Sequence, residues 1–137
     1  MTDTVSSSVR SRIMASVKQR HTKPELLVRS RLHQLGYRFR VQRRDLPGSP
    51  DIVLPKYRTA IFVHGCFWHQ HKGCSKSRKP TSNNDYWDQK LLENVRRDRR
   101  KVAALKKLDW RVILVWECET KDTEKLKKKL EKIAHLY

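Results

Sequence analysis

The sequence has no long apolar run, few cysteines and a shortage of acidic residues. No uninterrupted apolar stretch approaches the roughly 18 residues of a membrane-spanning helix, so we expect no part of the chain to enter a membrane. The cysteines number three, and an odd number argues against a disulfide framework and favours metal ligation or free thiols. Residues 1–4 offer neither a basic start nor an apolar stretch, so we expect no signal peptide and a cytoplasmic protein.

Positive charge is what the chain has in excess. The 32 Lys and Arg residues against 14 Asp and Glu leave a formal net charge of +18 over 137 residues, a length that fits one domain. Such a surface attracts polyanions, so DNA or RNA is the expected partner. A solubilising surface, or contact of a basic helix with acidic lipid, is the alternative. Composition favours nucleic acid but does not indicate what is done to it.

The order of predicted elements is typical of an α/β fold. Helical spacing marks residues 9–17, 22–36, 85–108 and 122–136, and strand patterns mark residues 37–41, 51–54, 59–63 and 111–116. The second and third strands can pair as a hairpin, and the last follows a long helix, as a parallel crossover requires. We therefore expect a central mixed β-sheet flanked by helices. The last strand is expected to be buried on both faces, with Trp110 and Trp116 in the core.

Five potential metal ligands occur in two places. Cys66, His69, His71 and Cys74 lie close together, and Cys118 follows the last predicted strand. Zinc favours four such ligands in a tetrahedron, and short spacings supply them with little backbone strain. Cys66, His71 and Cys74, closed by Cys118, would attach the long polar loop 64–84 to the sheet. An accidental cluster of thiols and surface histidines is the less favoured alternative, and spacing alone leaves the choice of histidine open.

An acidic residue begins the second predicted strand. Pro50-Asp51 precedes this strand, and the next one ends at His64. A carboxylate at a strand end suits Mg²⁺, which prefers oxygen ligands and can activate water at a phosphate. Pro-Asp also begins ordinary turns, and His64 could be a hydrogen-bonded histidine near the core. The neighbouring histidines and the basic surface favour the metal interpretation.

Four segments of the chain resemble the very-short-patch repair (Vsr) DNA mismatch endonucleases. They are Pro50-Asp51, Phe62-Val63-His64-Gly65-Cys66-Phe67-Trp68-His69, Arg97-Asp98-Arg99-Arg100 and Trp110-Arg111-Val112-Ile113-Leu114-Val115-Trp116-Glu117-Cys118. The match runs in register from about Val9 to Cys118. The resemblance implies a restriction-endonuclease-like fold. It also implies an enzyme that nicks the thymine-bearing strand 5′ to the T of a T:G mismatch left by 5-methylcytosine deamination.

The resemblance also implies a catalytic site. In the family, the residue matching Asp51 and the backbone carbonyl at Val63 bind Mg²⁺, whereas the usual second acid and lysine of related nucleases are absent. The histidine matching His69 is the general base for water. An aspartate matching Asp98 orients that histidine, which fixes its tautomer and raises its basicity. The residues matching His64 and Glu25 complete the site around the phosphate and the metal-bound waters.

The resemblance implies a structural zinc ion as well. Its ligands in the family match Cys66, His71, Cys74 and Cys118, which leaves His69 for catalysis. Gly73 is a departure, because it looks like an extra residue between two of the ligands and could change the loop geometry.

Aromatic residues between the ligands suggest how a mismatch is read. Apolar wedges inserted between base steps cost a few kcal/mol of unstacking, and less where pairing is imperfect. The resemblance implies that Phe67, Trp68 and Trp87 form this wedge and that Met14 enters the opposite groove. It implies that Lys90 and Asn94 read the T:G pair. The run from Arg96 to Lys101 is interpreted as a solvated helix face with phosphate contacts at most, Asp98 excepted.

The expected organisation is one Vsr-like domain over residues 1–137. It comprises an N-terminal DNA-contacting helix at 1–20, a nuclease core at 21–118 containing the zinc loop 64–84, and a C-terminal basic helix at 119–137, whose role the sequence leaves open. We expect a monomer of bacterial type that acts at the nucleoid on double-stranded DNA carrying a T:G mismatch, with contact to general mismatch-repair proteins as a further expectation. The alternatives are a restriction or homing enzyme that cuts matched DNA and a non-catalytic zinc-bearing DNA-binding protein.

Overall fold

The computed structural model describes residues 22–77 and 84–135, and within them four strands form one mixed sheet. The elements in chain order are α1 (Lys23–Gln34), β1 (Arg40–Val41), β2 (Ile52–Leu54), β3 (Thr59–His64), α2 (Asn84–Lys107), β4 (Arg111–Trp116) and α3 (Thr123–His135). The helix expected at residues 9–17 lies outside the described residues.

The strand order is β1-β2-β3-β4. The predicted hairpin is confirmed, because β2 pairs antiparallel with β3, with Ile52 opposite Ile61. The predicted parallel crossover is also confirmed, since β3 pairs parallel with β4 after the chain has passed through α2. In that register His64 lies opposite Trp116. The last residues of β3 and β4 are therefore neighbours, and so are the segments that follow them.

Alternation along the strands divides the core between the two faces of the sheet. One face packs against α1 and α3 through a buried cluster of Val28, Leu32, Ile52, Leu54, Ile61, Val115, Leu126, Leu130 and Ile133. The other face packs against α2 through Ala60, Phe62 and Leu105. Successive strand residues point to opposite faces, so β3 contributes to both clusters. The sheet is thus covered by helices on both faces.

The C-terminal basic helix covers the sheet. Leu126, Leu130 and Ile133 of α3 are buried in the core, while several of its lysines remain exposed. Lys129 of the same helix is half-buried instead. Its Nζ donates to the Leu114 carbonyl at 2.5 Å and to both carboxylate oxygens of Glu119, at 3.0 and 3.1 Å.

Two expectations about the strands are wrong. The strand expected at 37–41 is reduced to Arg40–Val41, because the segment before it packs on the core and the Tyr37 hydroxyl donates to the Leu130 carbonyl of α3 at 2.9 Å. The strand β4 is not buried on both faces, since only Val115 is fully buried and the other five residues are half-buried. In the described sheet β4 is an edge strand, which explains its partial exposure.

Among the described helices, none combines the length and the apolar character needed to cross a membrane.

The Lys129 contact to Glu119 predicts a specific loss of stability. Glu119 is only 8% exposed, so removing its partner leaves a buried carboxylate poorly compensated. We expect Lys129→Ala to lower the free energy of unfolding by about 1–2 kcal/mol, measured by urea denaturation. Lys128→Ala is the matched control, because Lys128 is an exposed residue of the same helix, and its effect should stay within about 0.5 kcal/mol. Equal effects of the two substitutions would contradict a stabilising role for the contact.

Candidate active site and metal centre

Asp51 and His64 lie at the same edge of the sheet. Asp51 directly precedes β2, and His64 is the last residue of β3. Because the two strands are antiparallel, the start of one lies beside the end of the other. The Val63 backbone N–H donates a 2.7 Å hydrogen bond to Asp51 Oδ2, and this bond fixes the carboxylate at the sheet edge.

A second carboxylate, that of Glu25, reaches this edge from the first turn of α1. Glu25 is only 2% exposed, and its Oε2 accepts a 2.7 Å hydrogen bond from Arg29. Burial raises the pKa of Asp51 to about 7; the Val63 N–H opposes this shift, and the negative charge of Glu25 adds to it. Two buried carboxylates side by side favour a cation with oxygen ligands.

His69 and Asp98 form a hydrogen-bonded pair beside these carboxylates. His69 follows β3, Asp98 lies on α2, and His69 Nδ1 is 2.5 Å from Asp98 Oδ2. Burial alone would raise the pKa of Asp98, but the hydrogen bond and charge of His69 lower it below its ordinary value. An ionised Asp98 accepts a hydrogen bond from the Nδ1–H of His69, and the Nε2 atom lies on the opposite side of the ring, away from Asp98.

The imidazole ring of His64 packs against the imidazole ring of His69. The two imidazoles stack with centroids 3.8 Å apart and planes 7° from parallel. Burial, followed by the charge of His69, lowers the pKa of His64 to about 3, so His64 is neutral at neutral pH. Its Nδ1 atom is buried and has no hydrogen-bond partner within residues 22–77 and 84–135. A buried imidazole nitrogen without a hydrogen-bond partner is uncommon.

Two adjoining cavities open beside these side chains. Their volumes are about 380 and 220 Å³, and both are lined by Asp51, Val63 and His69. The larger one is also lined by Glu25 and Trp68. Carboxylate oxygens and the imidazole of His69 therefore face a common space.

Three sulfur atoms and one imidazole nitrogen converge beyond the ends of β3 and β4. The ligand atoms of Cys66, His71, Cys74 and Cys118 all lie within 4.8 Å of one another. His71 Nδ1 is 3.7 Å from the sulfur of Cys66 and 3.4 Å from that of Cys118. Ligands bound to one tetrahedral zinc ion at ordinary bond lengths would be about 3.6 Å apart. The donor set and its spacing therefore fit zinc, and His71, not His69, belongs to this group.

The loop that carries these ligands is built from tight turns. The His71 N–H donates to the Cys66 carbonyl at 2.9 Å, and the Cys74 N–H donates to the His71 carbonyl at 3.3 Å. Gly73 has a φ of +74°, a left-handed conformation that glycine adopts without strain. The extra residue is thus accommodated in a turn, and the ligands still converge. Burial raises the pKa of the Cys66 thiol to about 12, so a bound cation is needed to favour its thiolate.

The two tryptophans assigned to the core have different surroundings. Trp110 packs against the buried cluster on the α2 face, as expected, and lies under the Arg58 guanidinium at 5.2 Å. The assignment of Trp116 is wrong. Its ring stacks on His71, with centroids 4.2 Å apart and planes 9° from parallel. The cause is the register of β4, which ends beside the loop that carries the ligands.

The aromatic residues expected to form a wedge lie together. Phe67 is 5.2 Å from Trp68 and 5.4 Å from Trp87, measured between ring centroids, and the two tryptophans are 6.0 Å apart. Tyr86 extends the cluster, 5.2 Å from Trp87. Tyr86 is 52% exposed, and the other three rings are half-buried.

The expected readers of the T:G pair lie on α2 next to this cluster. Lys90 Nζ is 5.9 Å from the ring centroid of Tyr86. Asn94 is only 6% exposed, and its amide nitrogen donates to the Trp68 carbonyl at 3.2 Å. Met14 lies outside the described residues.

Sequence reasoning missed three residues that line these cavities or the aromatic cluster: Glu117, Lys101 and Tyr86. Glu117 lines the larger cavity, and its Oε1 accepts the Cys66 N–H at 3.4 Å. Lys101 lines the smaller one. Glu117 directly precedes the expected ligand Cys118, and Lys101 lies one helical turn after the expected catalytic residue Asp98. These sequence positions could have indicated both residues.

The fold matches that of a solved nuclease. The catalytic domain of the homing endonuclease I-Bth0305I is similar with a TM-score of 0.57 and 23% identity, over 82% of this chain and 93% of that chain. At this identity the likeness establishes the fold alone. The expected restriction-endonuclease-like α/β fold is confirmed.

The sequence comparisons identify the family within this class. A family model described as DNA mismatch endonuclease Vsr matches residues 2–76. The DNA mismatch endonuclease Vsr of Escherichia coli is 43% identical over 126 residues, covering 92% of this chain and 80% of that protein. The type II nicking enzyme V.XorIIP of Xanthomonas oryzae pv. oryzae is 50% identical over 133 residues, 97% of each chain. The chain therefore belongs to the Vsr DNA mismatch endonuclease family and is a DNA endonuclease.

Proposed function

We propose that this protein nicks the thymine-bearing strand 5′ to the T of a T:G mismatch by Mg²⁺-dependent hydrolysis of one phosphodiester bond. The observation that carries the proposal is the hydrogen-bonded His69 and Asp98 pair, which shares a cavity with Asp51. The name of the Escherichia coli relative supports mismatch recognition, and the names of other relatives support nicking. A single site that acts on one strand is consistent with the expected monomer.

His69 is the general base of the proposed mechanism. Asp98 holds the proton on Nδ1, so Nε2 accepts a proton from the attacking water. The oxygen of that water then forms a bond to phosphorus, and the bond between phosphorus and the leaving oxygen breaks. Stacking on His64 fixes the plane of the imidazole during the proton transfer. His64 also lines the smaller cavity, so it is the expected neighbour of the phosphate and its water shell.

The carboxylates of Asp51 and Glu25 fit the expected magnesium ion. Both are oxygen donors, both lie in the larger cavity, and their proximity favours a cation. The Val63 carbonyl remains the expected third protein ligand, and the Val63 N–H already positions Asp51. When bound, Mg²⁺ supplies charge neutralisation at the phosphate and lowers the pKa of water. Glu25 is held in place by Arg29, which keeps the carboxylate at the cavity wall.

Zinc in the cluster of Cys66, His71, Cys74 and Cys118 has a structural role in this proposal. All four protein ligands are present, which leaves no open position of the kind that catalytic zinc sites keep. The ion would attach the loop after β3 to the segment after β4. His69, which lies between two of the ligands in sequence, is positioned as a result.

The aromatic cluster of Phe67, Trp68, Tyr86 and Trp87 is proposed as the mismatch wedge. Three of its rings lie within 6.0 Å of one another, and Trp68 also lines the larger cavity. A wedge beside the catalytic side chains would unstack the bases next to the bond that is cut. Because a T:G pair is easier to unstack than a matched pair, this contact favours the mismatch.

The catalytic assignment predicts which substitutions abolish nicking. With Mg²⁺ and an end-labelled duplex carrying one T:G pair, the wild-type protein should nick the T strand alone. We expect Asp51→Asn and His69→Ala to lower the single-turnover rate by roughly 100-fold to 10,000-fold, because each removes a group that acts on the attacking water or its metal. His33→Ala is the control, since His33 is an exposed residue of α1.

The possible outcomes of this assay separate the alternatives. Cleavage of fully matched duplexes would support a restriction or homing enzyme. Binding without any cleavage would support a non-catalytic DNA-binding protein. An Asp51→Asn protein with wild-type activity would refute the proposed catalytic site.

The structural zinc assignment predicts a separate loss. Metal analysis of the purified protein should find one zinc per chain, and His71→Ala should reduce this content and lower the melting temperature by several degrees. The physical reason is that the loop loses its attachment to β4. His33→Ala again serves as the control and should retain the zinc. Wild-type protein without stoichiometric zinc would exclude the assignment.

The wedge predicts a base-stacking signal. A 2-aminopurine placed beside the mismatch should gain fluorescence when wild-type protein binds, because its base is unstacked. Trp68→Ala should reduce this gain and the nicking rate together, whereas Trp110→Phe should change neither, since Trp110 packs on the core near Arg58. An undiminished signal with Trp68→Ala would argue against the wedge.

A further inference from the structure

Lys101 differs from the other basic residues of its helical segment. Arg97, Arg99 and Arg100 are exposed on α2, whereas Lys101 is half-buried. It lies one turn after Asp98 and lines the smaller cavity together with Asp98. The expected solvated helix face therefore does not include Lys101.

The stem of Lys101 is held by the turn before β2. A Cβ added at Gly48 would lie 2.7 to 2.8 Å from the side-chain carbons of Lys101, so no larger residue fits there without displacing the lysine. Gly48 also has a φ of +76°, which favours glycine independently. This close approach restricts the lysine stem to a path along the cavity wall.

The ammonium group of Lys101 is free to bind a ligand. Within the described ranges it takes part in no hydrogen bond and in no ion pair at the usual distance limits. Its positive charge nevertheless acts on Asp51, His64 and Asp98, which places it in the electrostatic field of the site. Two other cations line the cavities, Lys23 and Arg97, and both are exposed.

We propose that Lys101 is a further catalytic residue, whose ammonium contacts the phosphate that is cleaved and stabilises the negative charge that develops there during attack by water. This inference rests on the proposed nicking function. The charge on the phosphate oxygens rearranges as the new bond to phosphorus forms. A cation already held at the cavity wall needs no reorganisation at that moment, so it favours the transition state over the bound substrate. An exposed cation such as Arg97 lacks this restriction and contributes mainly to DNA affinity.

The test compares Lys101→Met with Lys101→Arg and with Lys106→Met. Methionine preserves most of the packing against Gly48 and removes the charge, and arginine restores a charge. Lys106 is an exposed lysine of the same helix, so Lys106→Met is a matched loss of one positive charge. For each protein we would measure three quantities. They are the single-turnover nicking rate of a T:G duplex saturated with protein, the Kd for the same duplex without Mg²⁺, and the melting temperature of the protein.

We expect Lys101→Met to lower the saturated rate by roughly 100-fold to 1000-fold, with a Kd within a few-fold of wild type and an unchanged melting temperature. Lys101→Arg should recover part of the rate, and Lys106→Met should leave it unchanged. A Lys101→Met protein with a wild-type saturated rate would overturn the proposal, as would an equal loss with Lys106→Met or a loss confined to Kd. If Lys101→Met proves unstable, Lys101→Gln takes its place as the uncharged variant. A stable Lys101→Arg protein that nicks no faster than Lys101→Gln would then overturn the proposal too. Failure of the wild-type protein to nick would instead refute the underlying function, and this proposal with it.

Discussion

The parallel pairing of β3 with β4 is the constraint on which the site depends. Because His64 lies opposite Trp116 in this register, Cys66 and Cys118, each two residues further along, are brought together beyond the strand ends. His71 and Cys74 can then complete the ligand cluster. The loop after β3 thereby acquires a fixed position relative to the sheet. His69 and the aromatic residues beside it depend on this position, together with the hydrogen bonds of His69 to Asp98 and of Asn94 to the Trp68 carbonyl.

Acidic side chains and histidines line the two cavities together. Asp51 and Glu25 form one buried acidic pair, and Asp98 is a second acidic element that His69 stabilises. His64, which stacks on His69, stays neutral because it is buried. This arrangement leaves the His69 imidazole and two carboxylates facing the same space in a protein whose net charge is +18. A strongly basic surface can attract DNA while the site itself keeps the acidic and basic groups that hydrolysis requires.

Much of the fold could be predicted because its signals are local. The short apolar runs at residues 51–54 and 59–63 predicted the hairpin, and the helical spacing in residues 85–108 predicted the crossover helix, with bounds close to those observed. The structure of residues 37–41 could not be predicted from such local signals. Their alternation is that of a strand, but the Tyr37 hydroxyl bonds to carbonyls of α3, a contact between residues far apart in sequence. The exposure of β4 likewise depends on which strand lies beside it.

The sequence by itself determined the chemical inventory of the site. It supplied Asp51 at a strand start, a dense group of soft ligands, and aromatic residues between those ligands. Residue spacing left the division of these groups open, the family resemblance implied one, and the tertiary structure supplied the contacts. It set His71 among the sulfurs, directed His69 to Asp98, moved Trp116 from the expected core to the face of His71, and brought Lys101 to the cavity wall. The physical reason is that residue types and spacings act over a few positions, whereas these contacts depend on strand register and helix packing.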